Sequence, residues 1–470
     1  MAALSSADGG GSTTLAPACI GIRLGSSSLT LAVSRLGVGF SPKPEVVAAY
    51  TGERVTPATV ARAANGEWIM GEAARMQTAK NPKNTFTQLV KLAGQAYDAK
   101  ALKPLLFDGA ADEADGTVRF TAYENGTGKG AGSDVVLAEA CKKPEELLAL
   151  LLGQLKAMAE ESVGAAPGVE VVRPCVLTAP SPLDANQKAA LERAGAAAGL
   201  HILALISEPT AVALAHGADV YPPKGSGSGA NDDDDDDDDD DEEEEEKAAD
   251  GGAAAAAAGG LTVAKAATSK LCLVVDLGGS SLTATVLSID RGVVTTVAAE
   301  TTEAVSGAAM VGALVAFAAK MFTKKTKGVD PLANRKAKAT LTMFCERCLQ
   351  SLSTNNDYAL EIESLCEGMD LRQRVSRSRF EDLVGGATWD AAAKAVAAVL
   401  AKAGVSGADV DHLYLAGGAA RVPKLVKTIA ATVSFGVGLG SGGGGRGRGR
   451  GRGRERGWWR GFFKQKRAVP

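Results

Sequence analysis

From residue 18 onward, short apolar runs of strand length alternate with longer stretches whose apolar residues recur every three or four positions. "CIGIRL" (19–24), "TLAVSRL" (30–36) and "VVRPCVLTAP" (171–180) read as strands. "PEELLALLLGQLKAMAEES" (144–162) and "LDANQKAALERAGAAAGL" (183–200) read as helices. Pro144 suits the first turn of its helix, where a missing N–H costs nothing, and Glu145 and Glu146 complement the positive end of the helix dipole. The alternation resumes at "LCLVVDLGGSSLTATVLSI" (271–289) and predicts helices near 307–323 and 332–352. A strand in "YALEIESLCEGMD" (358–370) and helices near 376–385 and 388–403 follow. The last patterned piece, "HLYLAGGAARVPKLVKTIAATV" (412–433), reads as a strand, a glycine turn and a helix. Strands interleaved with helices in this way predict an α/β architecture.

Three stretches lack any hydrophobic period. Residues 1–17 are expected to be disordered. Residues 223–269 contain Asp232–Asp241 and Glu242–Glu246, fifteen adjacent carboxylates that repel one another and bury nothing. They read as a solvated loop between two patterned halves, 18–222 and 270–435, and closing so long a loop costs little extra entropy. Residues 436–470 form a Gly/Arg-rich tail, also expected to be disordered. The net charge of −4 hides the opposition between acid run and basic tail, and the remainder is nearly neutral. Charge therefore says little about what the patterned part binds.

A hydrophobic fraction of 46% supports real cores, while 4% aromatics predicts that Ala, Val and Leu fill them rather than rings. No run approaches the eighteen apolar residues of a membrane span, and the first residues lack the order of a secretory signal. A soluble cytoplasmic protein with no membrane partner is expected. The seven cysteines are scattered, as reduced thiols would be. "CERC" (345–348) has metal-ligand spacing but no second pair to complete a zinc set.

The chemistry sits in a repeated phrase. "CIGIRLGSSSLTLAV" (19–33) has a near-echo in "CLVVDLGGSSLTATV" (272–286). Each predicts a hairpin with a tight Gly-Ser turn. Glycine there permits positive φ angles, and converging N–H groups and hydroxyls make a nest for phosphate oxygens. Two copies in separate α/β halves predict a duplicated lobe, its hairpins facing each other across one nucleotide. A third glycine turn, "LAGGAAR" (415–421), suits close packing against a nucleoside.

With "SEPTAVALAHG" (207–217), "VDLGGSSL" (275–282) and "YLAGGAARVPKL" (414–425) in that order, the chain resembles the nucleotide-binding domain of the seventy-kilodalton heat-shock chaperone family. The resemblance covers about residues 18–435 with the acid loop excised. It implies an actin-like ATPase fold, two lobes with ribonuclease-H-like cores around a nucleotide cleft, and ATP or ADP as cofactor. It implies that Glu208 and Asp276 are the catalytic carboxylates and that Asp276 helps hold Mg²⁺. Gly25, Ser26, Ser27, Gly278, Gly279, Ser280 and Ser281 would bind phosphate; Glu346, Ser353, Gly417, Gly418 and Arg421 would line the nucleoside pocket. Departures from the family pattern are as informative. Arg23 stands where the family has a metal-holding Asp, Thr283 replaces a second acid, Val90 falls on the water-positioning Lys with Lys91 beside it, and Leu349 and Gln350 replace a Lys-Arg pair. Arg23 is hostile to Mg²⁺, and losing a water-positioning group costs on the order of 10²–10⁴ in rate. An ATP binder with weak or absent hydrolysis is expected.

Nothing patterned like the family's peptide-gripping β-sandwich follows residue 435. The pattern resembles atypical, ribosome-associated members that partner J-proteins, implying a role in folding nascent or unfolded chains, with stress response as the family context. Two alternatives belong to other classes. One is an RNA- or ribosome-contacting module, because the tail interleaves Arg with Trp458, Trp459, Phe462 and Phe463. The other is a sugar kinase of the same superfold, against which "SEPTAVALAHG" speaks. The acid run reads as a solvated spacer or a dock for basic partners.

Overall fold

A computed structural model describes residues 18–35, 44–103, 105–124, 135–165, 172–217 and 269–435. The readings of 1–17, of the acid run and of the tail lie outside the described residues.

The first half is built on β1 (Ala18–Leu24), β2 (Ser28–Arg35), β3 (Val172–Ala179) and β4 (His201–Ser207). β1 pairs antiparallel with β2 and parallel with β3, which pairs parallel with β4. Buried and half-buried residues alternate strictly along β1, so Ala18, Ile20, Ile22 and Leu24 share one face. Against that face lies α1 (Pro144–Ser162), whose Leu147, Leu148, Leu151, Leu152 and Leu155 recur at helical spacing in the same core. Each such leucine contributes about 1.5–3 kcal/mol when fully buried. Pro144 does open this helix, and the Glu146 carboxylate accepts the Lys143 backbone N–H at 2.7 Å. α2 (Ala185–Ala197) is capped by Asp184, which accepts the Gln187 N–H at 2.7 Å. α3 (Glu208–Ala215) follows β4 directly, with Ser207 as its N-cap.

The second half repeats the plan with β5 (Lys270–Leu277), β6 (Leu282–Asp290), β7 (Val293–Thr302) and β8 (His412–Ala416). β5 is antiparallel to β6 and parallel to β8, as β1 is to β2 and β3. Here β5 is buried on both faces. Leu271, Leu273, Val275 and Leu277 meet the core formed with α4 (Gly307–Lys325), α5 (Arg335–Leu352), α6 (Gly386–Ala403) and α7 (Pro423–Phe435). Cys272 and Val274 face the other way, where Val212 and Ala213 of α3 cover them together with Leu287 and Ile289. A helix of the first half thus packs on the sheet of the second.

Three sequence expectations change in detail. Rings do enter the core: Phe86, Phe107 and Phe120 cluster in the first lobe, with centroids 5.0–5.5 Å apart. They are few, but they are concentrated where three short segments meet. The stretch after "YALEIESLC" is a hairpin, not one strand: Asp357–Cys366 pairs antiparallel with Met369–Ser376 across Glu367 and Gly368, both at positive φ. Alternating polar residues on an exposed ribbon left the second strand without an apolar signal. Among the described residues, α4 has by itself the length and mean hydropathy of a membrane span. Its Met310, Leu314, Ala318 and Phe322 are wholly enclosed in the second core. Cys345 and Cys348 lie buried on α5, where desolvation pushes the thiols up to about 12 and about 11. They are structural thiols, and no cluster of metal-binding groups exists among the described residues.

Candidate functional site

Strand period places the site. In β1, Arg23 points away from Ile22 and Leu24 and toward the second lobe; in β5, Asp276 occupies the equivalent position, one residue before Leu277-Gly278. Glu208 opens α3 and is delivered between them. Arg23 Nε lies 2.8 Å from Glu208 Oε1, and Arg23 Nη2 lies 3.8 Å from Asp276 Oδ2. Both carboxylates are almost fully enclosed, whereas a third of the Arg23 side chain stays open, 34%. The Nε contact is close but poorly aligned, so Glu208 Oε1 gains no well-formed hydrogen bond from it. Burial, and then the neighbouring charge of Asp276, push the Glu208 carboxyl up to about 8, against the opposing pull of Arg23.

The two hairpin turns meet directly. Gly25 N–H donates to Ser28 O at 3.1 Å and Gly278 N–H donates to Ser281 O at 2.9 Å, the same closing bond in each copy. Ser26 Oγ and Ser280 Oγ are hydrogen-bonded across the cleft at 2.9 Å. A Cβ on Gly279 would stand 2.9 Å from Ser27 Oγ of the opposite turn. The reason for glycine differs from the one expected. None of Gly25, Gly278 and Gly279 has positive φ; at Gly25 a Cβ would strike Ser28 O at 2.4 Å. Gly417 does need its positive φ of 84°, and a Cβ there would collide with Leu277 O at 2.1 Å and Asp276 Oδ1 at 2.4 Å. The third glycine turn is therefore pressed against the carboxylate strand. Gly307 N–H donates to Gly278 O at 3.0 Å and Ala308 N–H to Gly279 O at 2.9 Å, fixing the second turn to the start of α4.

The remaining sequence-derived positions separate into two groups. Thr283 is buried; its hydroxyl donates to Ser181 O of the first lobe at 3.3 Å and lies 3.1 Å from Thr301 Oγ1, a neutral bridge between the lobes. Val90 is sealed in the first core, and Lys91 Nζ is held by Glu303 of the second lobe at 2.7 Å. Glu346 faces Arg75 at 3.9 Å. Leu349 is buried and Gln350 exposed. Ser353 Oγ donates to Gln350 O at 2.6 Å, closing the end of α5, and Arg421 is exposed. Among the described residues, Ser353, Gly418 and Arg421 make no bond to the hairpin cluster. The cross-cleft partners Arg75, Glu303 and Ser181 were missed by sequence reasoning: only their pairing across the lobes marks them, and the sequence carries no local sign of it.

Paired glycine-serine turns on two like lobes, with acidic groups between them, define an actin-like ATPase fold. The family model described as Hsp70 protein matches residues 19–223 and 250–435, and the chain belongs to that family, whose members bind nucleotide. It is 28% identical over 421 residues to a heat shock protein of Pyricularia oryzae, covering 89% of this chain and 58% of that protein. It is 31% identical over 415 residues to a heat shock 70 kDa protein of Oryza sativa subsp. japonica, covering 86% and 51%. To a ribosome-associated molecular chaperone of Eremothecium gossypii it is 27% identical over 413 residues, covering 87% and 56%. The chain thus spans little more than half the length of these relatives.

Proposed function

We propose that this chain is a nucleotide-binding chaperone component of the cytosol that assists the folding of nascent chains at the ribosome with a J-protein partner. In this reading it binds ATP or ADP and hydrolyses ATP weakly or not at all. Residues 18–222 and 270–435 form its lobes; 223–269 and 436–470 lie outside them.

The position of Arg23 carries the weak-hydrolysis part. Its guanidinium lies within ionic reach of both Glu208 and Asp276, the two carboxylates that the resemblance makes catalytic. Val90 supports the same reading, since a buried valine cannot orient water, and the Lys91 ammonium lies against Glu303, 2.7 Å away. The donors present do not fit Mg²⁺. One carboxylate pair already shares a fixed cation, Thr283 offers no charge, and no larger acidic cluster exists among the described residues. A divalent ion ~4 Å from a guanidinium would be repelled by about 8 kcal/mol at an effective dielectric constant of ~20. The ribosomal part draws on the relatives' names and on the sequence.

Single-turnover hydrolysis of bound ATP by the full chain tests the catalytic part. Turnover at the rate of an active family member would overturn it. Co-sedimentation with translating ribosomes, before and after deletion of residues 436–470, tests the partner assignment. Loss of binding only on deletion would favour the second reading, an RNA contact through the interleaved Arg and aromatic residues of the tail.

A further inference from the structure

We infer that Arg23 is the phosphate-binding cation of this site, and that the chain takes up nucleotide polyphosphate free of divalent metal. The inference rests on the nucleotide-binding reading above and names the ionic form of the ligand.

The guanidinium is a planar fork, and the structure accounts for each of its arms. Nε lies 2.8 Å from Glu208 Oε1, close but poorly aligned, and Nη2 lies 3.8 Å from Asp276 Oδ2, within ionic reach though beyond hydrogen-bond distance. Nη1 lies over the first glycine turn, 3.2 Å from the point that a Cβ on Gly25 would occupy. Among the described residues no carboxylate pairs with Nη1. Two arms therefore lie within ionic reach of acids from different elements, and the third is presented at the turn whose serines face the second hairpin. A group drawn so toward two enclosed carboxylates has given up part of its rotamer freedom before a ligand arrives. Its charge is permanent, and its N–H groups match phosphate oxygens in geometry.

Charge bookkeeping points the same way. Exchanging the Asp that the family resemblance implies for Arg changes the formal charge by two units, the charge of a divalent ion. The chain supplies covalently what Mg²⁺ would otherwise bring. Ser26 and Ser280, hydrogen-bonded to each other at 2.9 Å, are the neutral donors beside it. A phosphate entering between them exchanges that bond for two hydroxyl-to-oxygen bonds while Nη1 meets its charge.

The experiment is equilibrium binding of ATP and ADP to the full chain by titration calorimetry, in EDTA and in excess Mg²⁺. The natural chain is expected to bind within about threefold as tightly without metal as with it. Arg23→Ala is expected to weaken metal-free binding about tenfold or more, in line with loss of one charge-assisted bond. Arg23→Asp is expected to lose metal-free binding and to recover it with Mg²⁺; paramagnetic relaxation should then detect Mn²⁺ held with nucleotide by Arg23→Asp and not by the natural chain. Arg23→Lys, which keeps charge and loses the fork, should fall between the natural chain and Arg23→Ala, with circular dichroism verifying the fold of each variant. Binding that requires Mg²⁺ in the natural chain would overturn the inference and leave the nucleotide reading standing. So would equal metal-free affinity in Arg23→Ala. No binding under either condition would overturn both.

Discussion

Ser26 and Ser280, 254 positions apart in the chain, share one hydrogen bond of 2.9 Å at the point where the two lobes touch. It joins neighbouring, non-equivalent positions of a duplicated hairpin, since Ser26 corresponds to Gly279 and Ser280 to Ser27, so the two halves meet through their own repeat one residue out of step. A double-mutant cycle should isolate it. Ser26→Ala and Ser280→Ala should each lower stability to urea by about 0.5–1.5 kcal/mol, and the double variant should lose little more than either single one. Strictly additive losses would show that the hydroxyls do not interact in solution.

Gly417 sits where no side chain fits. Gly417→Ala places a methyl group 2.1 Å from Leu277 O and forces alanine to a φ of 84°. Unfolding should become easier by ~2 kcal/mol or more. Gly418→Ala, which meets nothing within 4 Å, is the control and should change stability far less.

Stability should depend on pH through Glu208. Its carboxyl is raised from an ordinary 4.5 to about 8 by burial and by Asp276. The folded chain therefore holds a proton there that the unfolded chain releases. That stabilisation is complete below pH 4.5 and is lost as pH climbs to 8. Glu208→Gln cannot ionise, so its melting temperature should gain on that of the natural chain across this interval and hold a constant lead above it. Parallel melting curves would contradict the assignment.

The cleft rim is held by exposed ion pairs: Lys91–Glu303 at 2.7 Å, Arg75–Glu346 at 3.9 Å and Arg335–Asp108 at 3.4 Å. Each should contribute under about 1 kcal/mol and weaken with salt. Glu303→Ala should barely change the urea midpoint, yet it should make nucleotide release less sensitive to added salt. A release rate with unchanged salt dependence would remove Lys91–Glu303 from the rim.

The lobes were legible because their strands are apolar in two recognisable ways: Ile20, Ile22 and Leu24 alternate, while Leu271–Val275 run unbroken, as a strand covered on both faces does. The hairpins were legible because they recur. What the sequence hid is pairing across the cleft. Arg23 could be recognised as out of place, but neither of its carboxylate partners lies within its own hairpin, and their distances are set only when α3 docks on the second sheet. Lys91 and Val90 show the same limit. Burial decides which of two adjacent residues reaches the cleft, and burial is a property of the assembled core. The Met369–Ser376 strand was missed for the opposite reason, since an exposed ribbon needs no apolar code.

The docking of Val212 and Ala213 on Cys272, Val274, Leu287 and Ile289 has a consequence during synthesis. This strip of α3 leaves the ribosome before any strand that will cover it has been translated. At roughly 5–20 residues per second, several seconds pass before β5 follows and longer before β8 closes the sheet. For that time the newborn chain carries an uncovered greasy patch, so a member of a chaperone family itself begins life as something a chaperone would recognise.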